Sequence, residues 1–199
     1  MRYVDRAFGG TLAALILGSL AGSLLTALLA PFRSFMAFLL NTRAIIPVRA
    51  ASAVGDVAVT LLIFANNCVP VVLSFLYPLI IAKVRWTPPL RDQARNQLLT
   101  TFSLLTGGLV GFFNLGATLM LASELGGLTL LIRLLETSWL HGPLEFFFVL
   151  VCVAEPSRIV GRRSESDGIV GSMRADMILL LISLIGLLVS ASIEVFAGV

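Results

Sequence analysis

Charge is what this 199-residue chain has least of: Asp, Glu, Lys and Arg make up 13% of it, against 58% hydrophobic residues. A soluble domain carries about 25% charged residues, so a water-soluble globular fold is excluded. Histidine occurs once, at His141, so a zinc hydrolase has no second histidine ligand, and no motif singles out a Ser as nucleophile. The two cysteines, Cys68 and Cys152, lie inside apolar runs with no Cys or His at ligand spacing. They read as small core hydrophobes, not as a disulfide or a metal site. These shortages point to a protein that is not an enzyme and has no cofactor. The net charge of +3 comes mostly from Arg residues between the apolar runs, which suits membrane topology rather than nucleic-acid binding.

What the chain does have is apolar runs long enough to cross a bilayer. The expected fold is all-α, a single polytopic transmembrane helix bundle over residues 1–199. The first run, Ala7 to Ala30, is too long for a signal-peptide core and spans roughly 35 Å, so it reads as a retained first span of about residues 7–30. Residues 31–53, punctuated by Pro31, Arg33, Arg43, Pro47 and Arg49, read as an interfacial segment whose arginines snorkel. Further spans are expected at about 56–82, 98–122, 128–160 and 175–199. Basic or polar loops, 83–97 and 158–174, precede the third and the last of the five spans. Gly18/Gly22 and Gly107/Gly111 stand at the spacing that lets helices approach closely, within the chain or between copies.

The polar residues inside these runs are few and therefore informative. Asn66-Asn67 stands mid-run with Pro70 after it, Asn114 lies in the third span, and Glu194 is near the end of the last. Between two hydrocarbon stretches comes Trp139-Leu140-His141-Gly142-Pro143-Leu144-Glu145. It reads as a helix start, with Gly142 as N-cap, Pro143 first and Glu145 able to cap free N–H groups. It also reads as a broken helix at His141-Gly142-Pro143 that turns His141 and Glu145 into a polar cavity. Arg133 and Glu136, three apart, are expected to pair on one helix face. Burial makes it favourable for Glu145 to accept a hydrogen bond from Asn66 or Asn67, with His141 within reach. The sequence leaves open whether the amides serve as interhelical glue or complete a shared site.

Basic residues orient the bundle. If 128–160 crosses once, the N-terminus and the 83–97 and 158–174 loops share a side holding ten Lys and Arg against three in 31–53. If it crosses twice, the bias falls to six against seven. The first arrangement, five crossings with a cytoplasmic N-terminus in the cell membrane, is the expectation, and six is the alternative.

Four motifs in order resemble the stage II sporulation protein M family, an integral membrane family of bacteria and archaea. They are Ile63-Phe64-Ala65-Asn66-Asn67, Asn114-Leu115-Gly116, His141-Gly142-Pro143-Leu144-Glu145 and Ala191-Ser192-Ile193-Glu194, and their order and spacing agree over residues 56–199. Leu140 stands where the family has Pro before its His, and the Gly after Asn114 is shifted by one. The resemblance implies a non-catalytic role, anchoring or scaffolding a membrane complex with envelope partners such as peptidoglycan-degrading proteins. The expected partners are membrane lipid and other membrane or envelope proteins, with homo-oligomers as an option. The competing expectation is a small-solute transporter or channel built on the intramembrane cluster Asn66, Asn67, Asn114, His141, Glu145 and Glu194.

Overall fold

A backbone in lipid finds no water to bond, so the apolar runs close their hydrogen bonds within helices. The computed structural model describes residues 2–42, 46–83, 91–121, 123, 127, 129, 132, 142–162 and 169–196. Its elements are α1 (Arg2–Leu28), α2 (Ala30–Leu40), α3 (Ile46–Ser52), α4 (Asp56–Lys83), α5 (Arg91–Val110), α6 (Gly142–Val153), α7 (Glu155–Arg162) and α8 (Ile169–Phe196). A π-helical segment, Gly111–Ala117, continues α5. No strand occurs among the described residues. Four stretches are long and apolar enough to cross a membrane: Arg6–Leu28, Asp56–Ile81, Asp92–Leu121 and Asp176–Phe196. The fifth expected crossing, 128–160, is represented mainly by α6, whose 12 residues cover about 18 Å of an apolar layer about 30 Å thick. His141 and the Arg133/Glu136 pair lie outside the described residues.

α1 and α5 run in the same direction and touch backbone to backbone. A Cβ added at Gly18 would overlap the Gly108 carbonyl, one at Gly22 the Phe112 carbonyl, one at Gly111 the Leu15 carbonyl, and one at Gly116 the Ser19 carbonyl. At Gly107 it would lie 2.8 Å from the Thr11 methyl. Only glycine fits such a contact, and the close approach lets main chains gain dispersion without a hydrophobic drive. The register explains the π segment. From Leu15 to Ser19 α1 advances four residues, while the facing residues advance five, from Gly111 to Gly116. A regular α-helix would bring Asn114 or Leu115 onto this face; the wider turn delays the face by one residue and presents Gly116 instead. The Thr118 hydroxyl donates to the Phe113 carbonyl at 2.7 Å, a five-residue step that follows the wider winding. Across the seam, the Ser23 hydroxyl donates to the Gly116 carbonyl at 3.1 Å.

The expected interfacial segment folds as α2 and α3. Leu29 breaks the chain out of α1, Pro31 sits at the start of α2, and Phe32 turns its ring edge to Phe112 with centroids 5.5 Å apart. Arg33 differs from expectation. Instead of snorkelling into water, its guanidinium donates to the carbonyls of Thr26 at 3.3 Å and Ala27 at 3.0 Å. These belong to the last turn of α1, where carbonyls lack helical partners and the helix dipole favours a cation.

α4 continues through Pro70 and Pro78. It packs chiefly against α8 and α6, while α6 and α8 lie antiparallel with Phe148 facing Gly186 and Cys152 beside Ser183. One core joins the helices through Leu15, Val71, Phe75, Val110, Val149, Leu150, Val153 and Leu187. A second, smaller core of Ile81, Leu99 and Ile159 closes the end where α4 finishes and α5 begins, with Tyr77 stacked on Phe102 at 4.1 Å. Two expected loops are corrected here. α5 already starts at Arg91, inside the 83–97 stretch, and 158–174 opens inside α7 and closes inside α8. Charge suggested solvated chain, but Asp92 at a helix start is favourable and, as shown below, the charges of α7 answer one another.

Candidate functional site

Gly142 and Pro143 open α6, where a residue without an N–H loses nothing, and this sets Glu145 in the first turn, where free N–H groups favour negative charge. Near the middle of α4, the Asn67 side chain stands close enough to the Glu145 carboxyl to donate to it. Glu194 of α8 brings a second carboxyl within electrostatic reach of the first. All three side chains are half-buried. Thus one amide and two carboxyls bring together residues of three helices, α4, α6 and α8. Chemically, such a carboxyl pair can share one proton or receive a small cation between its oxygens, and the amide orients one member.

The other residues singled out by sequence are placed differently. Asn66, next to Asn67 but about 100° round the helix, is exposed. Asn114, displaced by the π turn, is exposed on α5. His141 is outside the described residues. Gly18, Gly22, Gly107 and Gly111 all lie in the α1–α5 seam, within one chain. Among the described residues no group of three or more His, Cys, Asp or Glu could hold a metal ion, and both cysteines are free.

A second polar region was missed in the sequence. Ala154 follows α6, and Glu155-Pro156 turns the chain into α7 at the smaller core. Glu155 is 1% exposed and paired with Arg158 one turn on. The Ser157 N–H donates to the Ser103 hydroxyl of α5 at 3.1 Å. Arg95 on α5 and Asp176 on α8, each 3% exposed, are buried on helices that pack against α7. The available signal was Glu155 and Arg158 at three-residue spacing with Pro156 between them, which marks a helix start rather than a loop. An open groove of about 300 Å³ lined by Asn96, Gln97, Thr100 and Thr101 runs along the first turns of α5. No protein family, no curated protein and no solved structure matches this chain.

Proposed function

We propose that the chain is a non-catalytic, multi-pass membrane protein that anchors or scaffolds a membrane complex, as the stage II sporulation protein M family that its motifs resemble is expected to do. The observation that carries this reading is the pair of outward amides. Every exposed residue of α1 from Gly9 to Leu28, and of α8 from Met177 to Phe196, is apolar. On α4 the one polar residue exposed between Val57 and Ile80 is Asn66, and on α5 and its π continuation the one exposed between Phe102 and Leu121 is Asn114. An amide at membrane depth is poorly served by lipid and well served by another helix. In this reading the glycine seam and the Asn67–Glu145 contact hold the frame, and the outward amides receive partners. The frame has five crossings, broken at His141-Gly142-Pro143, in the cell membrane with the N-terminus cytoplasmic.

The test is a photo-crosslinking amino acid placed at Asn114 in the full chain, in native membranes, with Leu20 of the apolar α1 stripe as control. Discrete protein adducts at 114 and only lipid adducts at 20 are expected. Lipid adducts alone at both positions would overturn the proposal. Cysteine labelling from each side of intact cells tests the orientation: the connections between α4 and α5 and between α7 and α8 should both label from the cytoplasm.

A second reading, a small-solute transporter or channel, is favoured by one specific observation, the Glu145–Glu194 carboxyl pair held by Asn67. It predicts pH-dependent ion flux in proteoliposomes that Glu145→Gln abolishes. Flux of that kind would replace the scaffold reading.

A further inference from the structure

We infer that the exposed face of α4 is a docking surface for a second copy of this chain, centred on Asn66; this rests on the outward-amide reading above and names the partner for one of the two amides. The outer face of α4 carries Val57, Leu61, Ala65, Val69, Leu73, Leu76 and Ile80, steps of four and three residues that form one continuous stripe. Ala65, small and central, lets a facing backbone come close at the level of Asn66.

Two independent features leave hydrogen-bonding capacity unused at that level. The Asn66 side chain, exposed and with no hydrogen bond to it among the described residues, offers an amide N–H pair and a carbonyl oxygen. Pro70, four residues on, has no N–H to give the Asn66 main-chain carbonyl. The position lies about 15 Å from the start of α4, too deep for water to supply the missing bonds.

The chemistry selects the occupant. The patch has no charge, so an ionic partner segment would itself be left unpaired in lipid. An amide carries donor and acceptor together, so two Asn66 side chains related by a twofold axis satisfy each other in a reciprocal pair. An isologous contact needs that self-complementarity, and a single polar residue in an apolar helix face sets its register. The glycines most readily assigned to dimerisation are already used within the chain, on α1 and α5. On α4 the polar residue left to set a helix–helix contact with a second copy is Asn66.

The experiment uses the full chain in native membranes with Cys68→Ala; Cys152 is fully buried and stays. Leu61→Cys, Ala65→Cys, Val69→Cys and Leu73→Cys are oxidised one at a time, with Leu20→Cys on α1 and Ile185→Cys on α8 as controls. Disulfide-linked dimers at twice the chain mass are expected on α4, at about ten times the yield of the controls. Asn66→Leu should lower that yield about tenfold, and Asn66→Gln should keep most of it. Because the Asn66 side chain is exposed and has no hydrogen-bond partner among the described residues, both variants are expected to fold as the parent does. Dimer yields on α4 no higher than the controls would overturn the inference, as would an unchanged yield in Asn66→Leu. Protein adducts at Asn114 alongside either result would leave the scaffold reading standing and remove only the second copy from α4.

Discussion

The α1–α5 contact and the α4–α6–α8 contact answer the same question by opposite means. In lipid two apolar helices gain nothing from leaving water, so something else must hold them. Along α1 and α5 it is the absence of side chains: Gly18, Gly22, Gly107, Gly111 and Gly116 let carbonyls and Cα atoms touch. Around α6 it is the presence of polar ones: Asn67 of α4, Glu145 of α6 and Glu194 of α8 come together in one place. The first kind of contact has no slack, because main chain cannot change rotamer. The second can adjust, because every partner is a side chain. A rigid half and an adjustable half are thus joined in one bundle.

Substitutions can pull these halves apart. The largest effect is expected from Gly18→Leu, whose Cβ alone meets the Gly108 carbonyl; overpacking against backbone should destabilise by about 3 kcal/mol or more. Thermal unfolding in detergent measures this, and a melting temperature equal to the wild type would disprove the backbone contact. Next comes Glu155→Ala, which strands Arg158 at a buried helix start. About 2 kcal/mol is expected, less than for a fully enclosed pair because Arg158 keeps 16% of its side chain exposed. Gly186→Ala, by contrast, would press on the Phe148 ring rather than on main chain. The ring can turn aside, so about 1 kcal/mol should be lost; a loss equal to that of Gly18→Ala would erase the distinction between the halves. The smallest effect is the coupling between Asn67→Ala and Glu145→Gln, expected above about 0.5 kcal/mol in a double-mutant cycle, with additivity showing that the two do not act together.

Composition made the helical class and the long apolar helices legible, because a chain so poor in charge has few other ways to fold. Spacing picked out the glycines, but not that α1 and α5 would share them. That depends on a one-residue delay in the π turn, which no three-or-four-residue count anticipates. Asn66 and Asn67 looked like one feature; the helical step sends one toward Glu145 and the other outward. Reading charge as solvation failed at Glu155-Pro156-Ser157-Arg158, where two opposite charges on one turn satisfy each other and let α7 sink into the bundle. Arg33 misled for the same reason, since carbonyls at a helix end serve a guanidinium as well as water does.

The parallel run of α1 and α5 also fixes an order of events in time. Helices pointing the same way cannot be consecutive members of a hairpin, so the chain must return through α4 before α5 can rise beside α1. A ribosome delivering this chain completes α1 at Leu28, well before Gly107 exists to meet Thr11. Through that interval the glycine face of α1 is open to any other helix that offers one. Newly made chains are therefore most vulnerable to mispairing early, and the seam that becomes the tightest contact in the finished protein stays open until α5 arrives.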